Sequence, residues 1–359
     1  MKNICLIIHS LGIGGMESVI YQLIQNFAAR EDIIVNLILI GKKREVVYSL
    51  PTSVNVYKPP FPFSDAKRTI DTMKTIRFLR KKVKEINPDR ILSFGEYWNN
   101  LVLLSLYGLS FPVFISDRSE PGKDLGKVQN LLRKLLYPGA AGYIAQTKEA
   151  KNICLSNEWN KQVKVIGNPI RRIHSNGQVK KENIVLSVGR LIKTKHFDQL
   201  IRLFVEIGNP DWKLVIVGGD SKKLNLSIEL KKLVQELGAE DFIFLEGQQE
   251  EIDIYYKKSS VFAFTSSSEG FPNVIGEALS AGLPVVCYDG IAGPSDMIEN
   301  GVNGYLVPAN DENLFKNKLS LLMTDKNIRK SLSEQCKSSI KRFNVDSISS
   351  QYFSFMFNK

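Results

Sequence analysis

The stretch VFAFTSSSEGFPNVIGEALSAGLPVVCY, residues 261–288, joins two apolar runs through a polar loop and a short helical segment. VFAFTS (261–266) is apolar, β-branched and aromatic, the composition of a buried strand. Pro272 suits the first helical position, where a missing N–H costs nothing. The helix then runs to about Ala281, where Gly282 supplies a left-handed stop and Pro284 prevents continuation. PVVCY (284–288) reads as the next strand. Strand, helix and strand in this order call for a parallel sheet.

The alternation extends along the chain. Strand-like runs fall at 4–10, 33–40, 90–94, 112–116, 142–146 and 162–167, with helical segments around 16–29, 66–86, 97–108, 124–137 and 147–155. A second series of strands follows at 183–189, 212–219, 242–247, 261–266, 284–288 and 304–308. An α/β architecture with two parallel-sheet domains is therefore expected, and 359 residues accommodate both. The polar segment GNPIRRIHSNGQVKKEN (167–183) reads as the linker, so residues 1–168 form the first domain. Ligands of such sheets bind beyond the carboxyl ends of the strands. Two such domains facing each other make a cleft.

The chain is 43% hydrophobic and 24% charged, ordinary for a soluble globular protein. A formal net charge of +11 suits an anionic partner: a phosphate ligand, a nucleic acid or an acidic membrane surface. No nucleic-acid-binding module is recognisable. Cys5, Cys154, Cys287 and Cys336 are scattered, which argues for a reducing cytosol and against a disulfide framework or zinc site. The N-terminal apolar run is too short for a signal segment, and no run reaches the roughly 18 apolar residues of a membrane span. There is no D-x-D, and the E-x-D of Glu251 and Asp253 falls in a helical stretch. No metal or other cofactor is expected.

Glu269 precedes the helix of 261–288, and Glu277 lies one turn inside it. Free amides of Asn273 and Val274 at the helix N-terminus attract phosphate. An acid in the loop can accept hydrogen bonds from sugar hydroxyls, and an acid in the helix can take both hydroxyls of a ribose. The pair suits a nucleotide sugar. The competing reading is an acid favouring the helix dipole plus a solvated helical glutamate, and spacing alone does not choose between them.

EGFPNVIGEALSAGLPVV resembles the E-x7-E region of the retaining glycosyltransferases of family 4 (glycosyl transferases group 1), which have the GT-B fold of two Rossmann-like domains. The family includes bacterial enzymes of lipid-linked oligosaccharide and surface polysaccharide synthesis. VGRLIKTKHFDQLI (188–201), GNPI (167–170), LGIGGMESVI (11–20) and RFNVDSISSQYFSFMF (342–357) resemble further segments of it, in the same order. The last is similar to a closing helix, which implies that 341–359 return to the first domain and that 169–340 form the donor domain.

The resemblance implies roles for individual residues. Arg190 and Lys195, after the strand ending in Gly189, match the cations on the donor diphosphate, and with Glu269 they form the catalytic set. Glu277 matches the ribose-binding acid. Gly270, Phe271, Pro272, Asn273 and Val274 match the backbone around sugar and phosphates, Gly14 and Gly15 the first-domain glycine loop, and Gln248 a position near the base. His196 stands where the family often has glycine. Many relatives place a histidine in the first-domain loop ISDRSEPGKD (115–124), but the histidines here are His9, His174 and His196. Asp117, Arg118 or Glu120 is therefore expected to face the acceptor, with a salt-bridged loop as the alternative; Glu96 is a second acceptor-side candidate.

The expected reaction is metal-independent transfer of a hexose or N-acetylhexosamine, with retention, from a nucleotide diphosphate sugar, UDP above all. The acceptor is a hydroxyl of a growing, polyprenyl-diphosphate-linked glycan. One alternative is a nucleotide-sugar epimerase of the same fold, which needs no acceptor. Another is a non-catalytic nucleotide-sugar or membrane-binding subunit, which argues poorly with an intact set of Arg190, Lys195, Glu269 and Glu277. Segment 66–86 carries a stripe of Ile70, Met73, Ile76, Leu79, Val83 and Ile86, expected to pack on the first sheet. Its basic face of Lys67, Arg68, Lys74, Arg77, Arg80, Lys81, Lys82 and Lys84 is expected to hold the protein peripherally, without insertion, on the cytoplasmic face of an anionic membrane. Nothing in the sequence specifies an oligomeric state.

Overall fold

VFAFTS and PVVCY become neighbouring parallel strands, with Phe262 opposite Val285 and Phe264 opposite Cys287. The computed structural model describes residues 1–173, 179–221, 225–290 and 292–358, so His174 of the linker lies outside the described residues. The chain divides into two units: Met1–Pro169 with Val345–Lys359, and Ile170–Asn344.

The first unit contains β1 (Lys2–Ile8), α1 (Gly15–Ala28), β2 (Ile33–Leu39), β3 (Asn55–Tyr57), α2 (Arg68–Ile86), β4 (Arg90–Phe94), α3 (Glu96–Leu106), β5 (Val113–Ser116), α4 (Lys127–Leu136), β6 (Gly142–Ala145), α5 (Lys148–Ser156) and β7 (Val163–Val165). Its seven strands are ordered β3-β2-β1-β4-β5-β6-β7, and the pairs are parallel. The second unit contains β8 (Ile184–Val188), α6 (Phe197–Ile207), β9 (Lys213–Val217), α7 (Leu226–Glu236), β10 (Ile243–Gly247), α8 (Asp253–Lys258), β11 (Val261–Phe264), α9 (Asn273–Ser280), β12 (Val285–Asp289), α10 (Pro294–Met297), β13 (Gly304–Pro308), α11 (Glu312–Thr324) and α12 (Lys326–Ser339). Its order is β10-β9-β8-β11-β12-β13, again with parallel pairs. α13 (Val345–Phe357) packs on α1 within the first unit.

Both sheets are Rossmann-like. The order reverses between β1 and β4 in one and between β8 and β11 in the other, and these reversals are where open α/β sheets bind ligands. The second core packs Leu200, Ile201 and Phe204 of α6 with Leu214, Ile216, Val261 and Phe315. The first packs Ile7, Ile91 and Ile115 with Leu79, Val83 and Val102. All four cysteines are buried and free.

Two helices turn apolar residues to solvent, and α2 thereby departs from the expected packing. In α2 the buried residues are Asp71, Thr75, Leu79 and Val83, while Ile70 and Met73 of the anticipated stripe are 56% and 47% exposed. The cause is polar. Asp71 accepts the Ser64 amide at 2.9 Å and lies beside the buried Arg44, whose guanidinium donates to the carbonyls of Gly41, Pro59 and Phe61. Arg80 also leaves the solvated basic face, because it donates to the carbonyls of Ser105 and Tyr107. In α4 the buried residue is Arg133, and Val128, Leu131 and Leu135 face solvent.

Candidate active site

Two loops meet at the carboxyl edge of the second sheet, on either side of its order reversal. The loop after β8 begins at Gly189. A side chain there would press on Lys195 Cε, 3.2 Å from the position of the missing Cβ. The neighbouring Gly218, at φ +156°, leaves no room for a Cβ because it would overlap the Gly189 carbonyl. The glycines after β8 and β9 thus let the two turns lie against each other, with Leu191 N–H donating to the Gly219 carbonyl at 2.9 Å. Lys195 ends a 3-10 turn, and His196 follows in the left-handed region at φ 50°. That conformation accounts for a glycine preference at 196. Here the imidazole Nε2 lies 2.7 Å from Ser267 Oγ in the loop after β11.

The loop after β11 is laced to the first loop. Thr265 Oγ1 donates to the Lys195 carbonyl at 2.7 Å, Ser266 Oγ to the Thr194 carbonyl at 3.1 Å, and the Ser267 amide to the same carbonyl at 2.8 Å. This lacing brings Lys195 Nζ into an ion pair with Glu269 Oε1, and both side chains are mostly buried. Ser266 Oγ also donates to Glu269 Oε1 at 3.2 Å, and Phe264 lies under the ammonium, 5.1 Å away. Arg190 is exposed and makes no ion pair among the described residues. Two cations and one carboxylate therefore gather at the reversal point.

Beyond Glu269, Gly270, Phe271 and Pro272 are buried, and the Phe271 ring packs on Phe343 at 5.7 Å. Pro272 caps α9 from outside rather than occupying its first turn. The Asn273 amide is not free as expected: it donates to the Phe271 carbonyl at 3.0 Å. Val274 follows in the first turn, and Glu277 sits in the second. Gln248 is exposed after β10, next to Gly219 and away from the Lys195–Glu269 pair by two strand positions.

Glu277 has partners that no local motif announces. Its Oε2 accepts the Tyr256 hydroxyl at 2.9 Å, and its Oε1 lies 3.5 Å from Arg171 Nε. Arg171 is also paired with Asp253. Burial pushes the Glu277 carboxyl above its ordinary range, against the pull of Arg171 and Tyr256. Arg171 loses some basicity to burial, but Glu277 and Asp253 more than restore it and raise its pKa. The only hint in the sequence was the dipeptide Arg171–Arg172 directly after GNPI; Tyr256 and Asp253 come from α8, brought alongside by the sheet.

In the first unit, Gly14 is extended at the start of α1, and a Cβ there would collide with the Glu17 carboxylate. Gly15 opens the helix. Glu17 lies 3.2 Å from His9 Nε2, and the imidazole stacks on Trp98 at 5.5 Å. Burial opposes ionisation of Glu17, but the His9 bond and a backbone amide hold its carboxyl below the ordinary range. His9 thus lies on the glycine loop at the β1–β4 reversal, a placement missed when the histidine was sought only in 115–124.

The acceptor-side candidates are drawn inward. Asp117 accepts from the Tyr137 hydroxyl at 2.7 Å and Asn99 Nδ2 at 2.9 Å, with Arg133 at 3.8 Å. Burial and the nearby Glu96 push its carboxyl up to about 6, despite Arg133 and Tyr137. Glu96 Oε1 accepts the amides of Arg118 and Ser119 and the Ser119 hydroxyl. Arg118 donates to Asn168 Oδ1 at 2.5 Å and to the Tyr352 hydroxyl at 3.4 Å, and stacks on Phe94. Asp117, Glu96 and Arg118 thus tie β5, α3 and α13 together chiefly through hydrogen bonds, and Glu120 is the exposed member of the four.

The chain is similar to known proteins. Residues 170–339 match the family described as glycosyl transferases group 1. The amylovoran biosynthesis glycosyltransferase AmsD of Erwinia amylovora is 29% identical over 300 residues, 81% of each chain. A Campylobacter jejuni α-1,4-N-acetyl-D-galactosaminyltransferase, named for an undecaprenol-diphosphate-linked acceptor, is 27% identical over 98% of this chain and 97% of its own. The crystal structure of Anabaena Alr3699/HepE in complex with UDP and glucose superimposes with a TM-score of 0.77 at 18% identity, covering 99% of both chains. Residues 170–339 thus match the glycosyl transferases group 1 family, and the chain has the GT-B fold of two Rossmann-like parallel-sheet domains.

Proposed function

We propose that this glycosyltransferase moves a hexose or N-acetylhexosamine, with retention, from UDP to a hydroxyl of a growing glycan carried on polyprenyl diphosphate. The observation that carries the reading is the convergence of Arg190, Lys195 and Glu269 at the order reversal of the second sheet, with Glu277 in the second turn of the adjoining helix. Lys195 turns from Glu269 to the diphosphate as the donor binds, and Glu269 then takes hydroxyls of the transferred sugar. Arg190 and Lys195 stabilise the charge that develops on the leaving group, so no metal is required. The bond from the anomeric carbon to the diphosphate breaks and a bond to the acceptor oxygen forms. The acceptor proton passes to the departing phosphate. Glu277 holds the ribose. The names of the Erwinia and Campylobacter relatives support a polysaccharide or lipid-linked acceptor, and the Anabaena complex supports UDP.

Attachment to an anionic membrane surface accompanies this reading. Lys67, Arg68, Lys74, Arg77, Lys81 and Lys84 stay exposed on or beside α2, where each can contribute about 1 kcal/mol near such a surface. Among the described residues no helix is long and apolar enough to cross a membrane. Calorimetry with UDP tests the donor assignment. Glu277→Ala should weaken UDP by about 2 kcal/mol, roughly thirtyfold, whereas Glu269→Ala should leave UDP affinity nearly intact and lower turnover. Equal losses of UDP affinity in the two variants would overturn the assignment.

A further inference from the structure

The helix α4 turns a second apolar stripe to solvent, in addition to the leucines it packs inward. At about 100° per residue, Val128, Leu131 and Leu135 fall within roughly 60° of its circumference. That stripe is the outward one, at 70%, 57% and 66% exposure. The inward face holds Gln129, Leu132, Arg133 and Leu136, the last packed against the first core. Asn100 Nδ2 donates to Gln129 Oε1 at 2.8 Å, and Arg133 packs over Trp159 at 4.4 Å beside Asp117. The buried arginine answers the carboxylate of Asp117, so the helix cannot rotate Leu131 and Leu135 inward without leaving that charge unpaired. Lys127 and Lys134 are exposed along one edge of the apolar stripe, and Leu104 and Tyr107 stand exposed at the end of α3, on which α4 packs.

We propose that α4 is a shallow, in-plane membrane anchor. Its leucine face enters the boundary between headgroups and acyl chains of an anionic leaflet, with Lys127 and Lys134 at the phosphates. An exposed apolar stripe edged by lysines on a ten-residue helix is the pattern of an interfacial helix, too short to span. The lysine edge is what favours an anionic bilayer over a second copy of this chain, because two such faces would bring like charges together. The inference rests on the membrane-associated reading above and replaces purely charge-driven attachment by partial insertion.

The test is sedimentation with vesicles of phosphatidylcholine, with and without about one third phosphatidylglycerol. The wild type should bind the anionic vesicles and keep a measurable fraction bound at 0.5 M salt, where charge attraction alone is screened beyond ~4 Å. Leu131→Glu/Leu135→Glu should lower binding at least about tenfold while UDP affinity and melting temperature stay at wild-type values. Leu131→Cys carrying an environment-sensitive dye should shift to the blue on vesicles. It is a clean label site because the native cysteines are buried. Wild-type vesicle binding by the double glutamate variant overturns the α4 anchor and leaves charge-driven attachment standing. Absence of any wild-type binding overturns both, and leaves the transferase reading untouched. Concentration-dependent dimerisation that the double variant abolishes, with no vesicle binding, would assign the face to self-association and likewise overturn the proposal.

Discussion

Replacing Arg171 by alanine is the most informative perturbation of the donor site, because the residue is predicted to act only through Glu277. The carboxylate is held by the Tyr256 hydroxyl at 2.9 Å and by Arg171 Nε at 3.5 Å. A hydrogen bond between charged partners contributes about 1.5–3 kcal/mol. The Arg171 side chain is 42% exposed and shares its guanidinium with Asp253, so screening reduces the effect to ~1 kcal/mol. That corresponds to about fivefold in UDP affinity. A double-mutant cycle by calorimetry separates positioning from direct contact. Arg171→Ala added to Glu277→Ala should cost nothing further, giving a coupling of ~1 kcal/mol. The pH dependence has a definite sign. Burial already raises the Glu277 pKa, and loss of Arg171 raises it further, so the deficit of Arg171→Ala should deepen as pH falls. Strictly additive losses, or a deficit independent of pH, would refute the positioning role and place Arg171 on the nucleotide itself.

Three further outcomes follow from the geometry. Arg190→Ala should lower turnover about a hundredfold while changing stability by less than ~0.5 kcal/mol, and transfer should persist in EDTA; activity lost to chelator and restored by manganese or magnesium would contradict the cationic mechanism. The Asp117 pKa rises from 3.8 to about 6 on folding, so its protonated form stabilises the fold below about pH 4 and that contribution, at most ~3 kcal/mol, disappears as pH rises through 6. Denaturation of Asp117→Asn across pH 4–7 should show a flatter profile than the wild type, and parallel profiles would exclude this titration. Gly218→Ala should destabilise by about 3 kcal/mol or more in urea unfolding, since its Cβ would overlap the Gly189 carbonyl, and near-neutral behaviour would mean that the two loops separate easily.

The sheets were legible because parallel strands covered on both faces are written as continuous apolar runs. β3 was not, because Asn55–Tyr57 is a three-residue edge strand whose residues are largely exposed. The α2 stripe misled for a physical reason: periodicity assumes that apolar residues turn inward, and here Asp71, accepting the Ser64 amide, turns inward in the first half of the helix instead. In α4 the inward Arg133, paired with Asp117, shares the buried face with Leu132 and Leu136 and leaves Val128, Leu131 and Leu135 outside. At the site, the residues next to strand ends could be placed by topology alone, since Gly189, Lys195 and Glu269 follow β8 and β11. Arg171, Asp253 and Tyr256 could not, because they reach Glu277 from segments about 106, 24 and 21 positions away that only the sheet order brings together. His9 and Glu17 meet across the glycine loop in the same way.

Acceptor-dependent sugar transfer can be followed in a single incubation. The protein is incubated in EDTA with UDP-linked hexoses and N-acetylhexosamines, with and without a polyprenyl-diphosphate-linked glycan, and both UDP release and the anomeric NMR signal of the product are followed. UDP release should rise with acceptor, and the new linkage of the product should keep the donor's anomeric configuration. Release equal in both arms, an inverted linkage, or an epimerised UDP-sugar formed without acceptor would contradict the proposed transfer.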